Sequence, residues 1–284
     1  MEFPQLRSEN LDSLRSRAHD YFRSVNRPVP SRELARELFH KDAPDDQVSP
    51  LLIRTLLRRD DRFAEMERGT WDLLGARYHD VPLDSVRFSV VDLEATGSNP
   101  DRDHVIEVGL VTIEGLEIVD RYSTLVQPEV RIPEWIQRLT GIDEAKVHDA
   151  PRFHQIAPML EERLRGSIFV AHNVDFDERF LRVKMEEDCG LSPEPWPSMC
   201  TVRLTRRVLR GMKSYRLNAL AERLEIDLAH HHRAVDDAEA AARIFLHVVR
   251  DELVPRGVRT AGELLTYGRR PVSARKRASR RAAS

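Results

Sequence analysis

Cysteine is scarce. Cys189 and Cys200 are the only two in 284 residues, and neither lies in a Cys-x-x-Cys or Cys/His grouping with zinc-ligand spacing. Two distant thiols in a chain of this length do not make a disulfide scaffold, so a reducing, cytoplasmic setting is expected. Long apolar runs are also missing. None approaches the roughly 20 residues that a membrane-spanning helix needs. The opening MEFPQLRSEN lacks the basic-then-apolar character of a secretory signal. Aromatic residues are few, at 6%, whereas charged residues reach 32%. That balance describes a well-solvated surface and no particular chemistry. The length suffices for one sizeable core, or for a catalytic domain with a small accessory one.

What is present is unevenly spread. Residues 1–80 hold fourteen basic and fifteen acidic side chains, and residues 269–284 hold seven basic and no acidic ones. The net charge of −2 therefore leaves −8 on residues 81–268. An acidic middle with a basic tail suits a nucleic-acid enzyme, with carboxylates for metal ions and a cationic arm for phosphates. The tail, residues 268–284, is low-complexity Arg/Ala/Ser and is expected to be disordered. Its Arg275, Lys276 and Arg277 are candidate phosphate contacts.

Residues 1–80 read as a small α+β accessory domain. Helical patterns cover Leu11 to Phe22, Ser31 to Phe39 with Ser31 as a cap, and a third segment opened by Ser49-Pro50 as N-cap and N1. Arg62 to Met66 and Trp71 to Leu73, around the turn-like Glu67-Arg68-Gly69-Thr70, form a short hairpin. Helices followed by a hairpin resemble a winged helix. The "RF…GTWDL" ending resembles the wing of helix-turn-helix modules attached to bacterial nucleic-acid enzymes. The resemblance implies duplex contact through Arg54, Arg58 and Arg59. A protein-contact module or a plain solvated helix face fits the same residues, because Asp60 and Asp61 follow at once.

Residues 84–250 alternate strand and helix patterns. Three short-linked strands, Val86 to Glu94, Val105 to Ile113 and Glu117 to Val126, predict an antiparallel meander. Ile168 to Ala171 is wholly apolar, as a strand buried on both faces would be. Helices are predicted over Pro133 to Leu139, Phe153 to Leu164, Val174 to Glu187, Thr201 to Leu209, Leu217 to Leu224 and Ala234 to Val249. The sum is a mixed α/β sheet flanked by helices.

Three clusters carry chemistry. In Asp92-Leu93-Glu94, strand periodicity turns both acids to one face. Adjacent carboxylates repel unless a cation separates them. Thr96-Gly97 then ends the strand, and Gly97 permits close backbone approach to a ligand. In His172-Asn173-Val174-Asp175-Phe176-Asp177, Asn173 is the expected N-cap of a helix leaving the buried strand. Asp175 and Asp177 lie about 200° apart around that helix, so only one faces the first strand. In His231-His232-Arg233-Ala234-Val235-Asp236-Asp237, a histidine in the entering loop and an acid on the helix can converge. His231 with Asp236 and His232 with Asp237 have the same spacing.

Taken together, "VDLEATG", "AHNVDFDERFL" and "HRAVDDAEA", with the "LTGI" of residues 139–142, strongly resemble the DEDDh, or DnaQ-like, 3′→5′ exonucleases. That family includes the proofreading epsilon subunit of bacterial DNA polymerase III. The resemblance spans about residues 87–249. It implies a ribonuclease H-like fold with a mixed five-stranded sheet. It also implies Asp92, Glu94, Asp177 and Asp237 as metal-binding carboxylates and His232 as the catalytic histidine. The cofactors implied are two divalent ions, Mg²⁺ or Mn²⁺, at a two-metal phosphoryl-transfer site with oxygen ligands. His232 then takes the proton from the attacking water. Leu93, Ala95, Thr96, Gly97 and Asn173 are expected around the 3′-terminal nucleotide.

The function expected is release of 5′-mononucleotides from DNA 3′ ends in proofreading or repair, beside a DNA polymerase or repair enzyme. The setting is cytoplasmic or at the nucleoid. An RNA-directed 3′→5′ exoribonuclease shares the chemistry. A non-catalytic nucleic-acid-binding winged-helix protein is the alternative of another class, and the intact set of mutually repelling acids argues against it. Two features depart from an epsilon subunit: the extra N-terminal domain, and the lack of a Gln-x-x-Leu-x-Phe clamp-binding peptide.

Overall fold

The structure is a computed structural model that describes residues 8–25, 27–58, 60, 62–67, 69–73, 78, 80–191, 196–228 and 233–269. It divides into two compact units, residues 1–80 and 81–284.

In the first unit the elements are α1 (Ser8–Val25), β1 (Val29–Pro30), α2 (Ser31–Phe39), α3 (Ser49–Leu57), β2 (Phe63–Glu67) and β3 (Thr70–Leu73). The strands form an antiparallel sheet in the order β1-β3-β2. The helices close over it with an apolar core of Phe22, Leu34, Leu38, Ile53, Leu57, Phe63 and Trp71. Both expected caps are displaced. Pro30 occupies the N-cap of α2, and Ser31 is its first helical residue, with its N–H donating to the Gly69 carbonyl at 2.7 Å. Ser49 likewise lies inside α3, which begins after Val48, and its hydroxyl donates to the carbonyls of Pro44 and Asp45. For Ser49 a preceding-turn acceptor takes the hydroxyl that a local rule assigns to capping, whereas the buried Ser31 hydroxyl has no hydrogen-bond partner among the described residues. The short strand β1 was not apparent from sequence, since two residues carry no period.

In the second unit β4 (Phe88–Ala95), β5 (Val105–Glu114) and β6 (Glu117–Leu125) form the expected meander. Then follow α4 (Glu134–Thr140), α5 (Glu144–Val147), α6 (Phe153–Leu164), β7 (Ile168–Ala171), α7 (Val174–Cys189), β8 (Ser198–Cys200), α8 (Thr201–Val208), α9 (Leu217–Arg223), α10 (Ala234–Leu246) and α11 (Ala261–Arg269). A π-helical stretch, His247–Leu253, continues α10 beyond the predicted single helix. The mixed five-stranded sheet runs β6-β5-β4-β7-β8, with β7 parallel to β4 and β8 parallel to β7.

Strand alternation splits β4 between two layers. Val91, Leu93 and Ala95 pack with Phe153 and Leu160 of α6 and Phe180 of α7. The other face meets α10, where the rings of Phe88 and Phe245 stand 5.0 Å apart. The contact with α10 is unusually close at Gly109 of β5. A methyl group there would come within 2.2 Å of the backbone of Ala234. Only glycine allows that approach.

Candidate functional site

The site assembles at the carboxyl end of β4, beside the carboxyl ends of the parallel strands β7 and β8. Asp92 and Glu94 share the β4 face that looks toward α10. Asp237, 5% exposed, enters from the first turn of α10. One oxygen from each of Asp92, Glu94 and Asp237 lies within 4.8 Å of the others. Asp177 enters from the first turn of α7 and is 4% exposed. The backbone N–H groups of Leu93 and of Asp177 itself favour its ionised form. It stands outside the group of three, yet close enough for its charge to act on Asp92.

The electrostatics follow from crowding. Burial, reinforced by Asp177, Asp237, Glu94 and Glu107, holds Asp92 well above the usual carboxylate range. Burial, then Asp237 and Glu107, pushes Glu94 up to about 7. Asp177 is raised as well, by burial and by Glu94, although its two backbone donors pull the other way. Such a cluster resists ionisation until positive charge arrives. The donors are all carboxylate oxygens, the set a hard divalent cation prefers, so the residues fit Mg²⁺ or Mn²⁺.

Two residues absent from the sequence reading hold α10 in place. Glu107 of β5 is fully buried and sits opposite Glu94 in the sheet register. It accepts Nε and Nη2 of Arg233 at 3.0 and 2.8 Å and the N–H of Ala234 at 3.0 Å. It therefore satisfies an orphan amide at the start of α10 and anchors Arg233, the residue that precedes the helix. A signal existed: one glutamate interrupts the apolar run of residues 105–113, and buried charges are paired. Gly109 is the second, through the close approach described above.

The remaining candidates fall as follows. His232, Arg59, Arg275, Lys276 and Arg277 lie outside the described residues. Asp175 is exposed and pairs with Arg203 at 3.0 Å, so the two acids of α7 divide as helix geometry requires. Asn173 holds the N-cap position of α7, but its side chain makes no capping bond, and only its carbonyl takes the Phe176 N–H. Leu93 and Ala95 point into the core with α6 and α7, on the face of β4 opposite Asp92 and Glu94, rather than into an open pocket. Thr96 is buried, and its hydroxyl accepts the His104 N–H at 2.9 Å. Gly97 leaves room for the Asp103 carboxylate, which a methyl group would meet at 2.3 Å. Its close approach is thus to the protein itself. Arg54 is engaged by both oxygens of Glu65 at 2.9 Å, because the hairpin folds back on α3, while Arg58 remains exposed.

Fold and site together define a nuclease domain. Residues 89–245, more than half of the chain, match the model of the exonuclease (RNase_T) family, and the chain belongs to that family. The domain is a 3′→5′ exonuclease domain of the DEDDh type. The chain is 40% identical over 177 residues to the DNA polymerase III PolC-type of Caldanaerobacter subterraneus, covering 62% of this chain and 12% of that protein. It is 37% identical over 159 residues to the 3′-5′ exonuclease DinG of Staphylococcus aureus, covering 56% and 18%. It thus matches under a fifth of the length of either relative. Among solved structures, the nuclease domain of 3′hExo, a DEDDh family member bound to rAMP, superposes with a TM-score of 0.52 at 21% identity, covering 60% of this chain and 95% of that one. Escherichia coli exonuclease I in complex with a dT13 oligonucleotide gives 0.53 at 16% identity, covering 61% and 42%. These likenesses show the ribonuclease H-like exonuclease fold. Among the described residues no helix is long and apolar enough to cross a membrane.

Proposed function

We propose that this protein is a metal-dependent 3′→5′ exonuclease that releases 5′-mononucleotides from DNA in proofreading or repair, beside a DNA polymerase or repair enzyme. The observation that carries the proposal is the convergence of Asp92, Glu94 and Asp237 within 4.8 Å inside a domain of the exonuclease family. The preference for DNA rests on the 40% identity to a PolC-type DNA polymerase.

Asp92, Glu94, Asp177 and Asp237 are the proposed holders of two Mg²⁺ or Mn²⁺ ions. When bound, such ions acidify water and neutralise charge on the transferred phosphoryl group. His232 is the proposed base: an imidazole titrates near neutrality and takes the proton of the attacking water. The water oxygen bonds to the phosphorus of the terminal phosphodiester, the bond to the 3′-oxygen of the preceding nucleotide breaks, and that oxygen takes a proton. The products are a 5′-mononucleotide and a strand one residue shorter with a 3′-hydroxyl. Thr96 and Asn173 stand where the 3′ end is proposed to lie. Arg58, and the tail residues Arg275, Lys276 and Arg277, are proposed as distant phosphate contacts.

The test uses labelled single-stranded DNA, duplex DNA and RNA with Mg²⁺, Mn²⁺ or chelator. Mononucleotide release from DNA that stops with chelator is expected. Release from RNA alone would replace the DNA reading, and no release from any substrate would reject the activity.

A further inference from the structure

Residues 201–220 contain Arg203, Arg206, Arg207, Arg210, Lys213 and Arg216 and no acidic residue. This run lies inside the stretch, residues 81–268, that is otherwise the acidic part of the chain. Local structure sorts the run by face. Thr201, Leu204, Thr205 and Val208 of α8 are buried, at the i, i+3, i+4, i+7 spacing of an inward stripe. Arg206 is the exposed cation of α8, Arg203 and Arg207 are half-buried, and Arg210, Lys213 and Arg216 are exposed in the stretch between α8 and α9.

Arg203 pairs with Asp175, but four of the other cations are set apart by their pairing. Elsewhere in this unit most arginines are tied to carboxylates: Arg87 to Glu114, Arg121 to Glu239, Arg163 to Asp120 and Arg233 to Glu107. Among the described residues, Arg206, Arg210, Lys213 and Arg216 form no ion pair. Arg206 instead lies over the ring of Tyr215, 5.7 Å from its centroid, and Arg210 donates to the Arg207 carbonyl. Four exposed cations without counter-charges keep their full attraction for an external polyanion.

Their position points to which polyanion. α8 starts directly after β8, and its first residue, Thr201, meets Nδ1 of His172 through its hydroxyl at 2.8 Å. His172 in turn feels the charge of Asp237. α8 therefore starts in contact with His172, and the exposed cations follow from Arg206 onward. We propose that the outward face of α8 and the turn after it bind the phosphodiester backbone of the nucleic-acid strand whose 3′ end lies at the carboxylates. This rests on the nuclease reading above. It goes beyond it by assigning the strand's path to Arg206, Arg210, Lys213 and Arg216. An acidic site repels its own substrate, and a flanking row of cations offsets that repulsion without reading sequence.

The test is the salt dependence of binding by the full chain in chelator, so that no strand is cut. Labelled oligodeoxythymidylate and oligouridylate serve as separate probes. Combining Arg206→Ser, Arg210→Ser, Lys213→Ser and Arg216→Ser should flatten the slope of log K against log salt by about 0.7 per lost phosphate contact, about three in all. The charge-keeping set Arg206→Lys, Arg210→Lys and Arg216→Lys should retain the slope. Serine at the paired Arg87, Arg152, Arg165 and Arg250, which removes as much charge elsewhere, should also retain it. A loss seen with one probe alone supports the strip and identifies its strand as DNA or RNA. An unchanged slope with both probes, or an equal loss in the paired-arginine control, overturns the proposal. Cleavage by the wild-type chain is measured separately, so failure of the strip and failure of the nuclease reading remain distinct.

Discussion

Asp92 shows how a single residue carries two opposing demands. Its carboxylate is set among Asp177, Asp237 and Glu94, each of which raises the cost of ionising it. Removing that charge should relieve the metal-free protein while disabling the metal-bound one. Asp92→Asn is therefore expected to abolish nucleotide release and to raise the melting temperature in chelator by roughly 2–4 °C, the shift about 1 kcal/mol gives in a unit of this size. Calorimetry with and without Mn²⁺ checks both halves. His232→Ala should act differently. Turnover should fall by several orders of magnitude while Mn²⁺ still raises the melting temperature, because the imidazole is assigned to proton transfer and not to holding the ion. Equal turnover of the variant would remove it as the base.

At this scale much of the site was legible. The i, i+2 rule places Asp92 and Glu94 on one face, and about 200° of helix rotation separates Asp175 from Asp177. The buried Asp177 and the exposed Asp175–Arg203 pair divide accordingly. The packing of Asp103 against Gly97 was not legible, because Asp103 arrives through a loop whose path no local pattern encodes.

Among the elements, α10 decides whether the cluster exists. It brings Asp237 to β4, and three features hold its first turn: the missing side chain of Gly109, the buried Glu107, and the N-cap residue Arg233 clasped by it. Glu107→Ala would leave the Arg233 guanidinium and the Ala234 N–H without their acceptor. A loss of roughly 2 kcal/mol is expected, kept modest because Arg233 is half-exposed. Mn²⁺ affinity should weaken as Asp237 drifts, and Glu107→Gln should restore part of both. Unfolding curves and Mn²⁺ titrations read the two effects. An Ala variant with wild-type affinity would free α10 from this anchor.

Element boundaries were legible where an apolar pattern was sustained or unbroken, as over Phe153–Leu164 and Ile168–Ala171, but α11 was missed and its end overlaps the span read as a disordered tail. Boundaries were not legible for β1, α5 or β8, where two to four residues define an element that only its neighbours stabilise. The caps Ser31 and Ser49 failed because Ser31 lies inside α2 behind Pro30, and the Ser49 hydroxyl turns back to Pro44 and Asp45.

For the whole molecule, the acidic cluster couples stability to pH and metal. Glu94, raised to about 7 by burial and its acidic neighbours, and Asp92 and Asp177, also raised, bind protons more tightly folded than unfolded. Groups of this kind stabilise the fold when protonated. Their contribution is thus present in acid and lost as pH rises from the unfolded carboxylate range, about 4–4.5, through the folded values. In chelator the melting temperature should fall between pH 5 and pH 8 on their account. Added Mg²⁺ or Mn²⁺ should raise it most at the alkaline end, since binding requires deprotonated ligands. A metal effect that is equal at both pH values would sever this link.

The central claim is that carboxylates from β4, α7 and α10 gather to hold divalent cations. Anomalous diffraction from crystals soaked in Mn²⁺ tests it most directly. The account predicts density for manganese between Asp92, Glu94 and Asp237, with Asp177 alongside. Crystals saturated with Mn²⁺ that show no peak there, or show it bound only elsewhere on the surface, would contradict it.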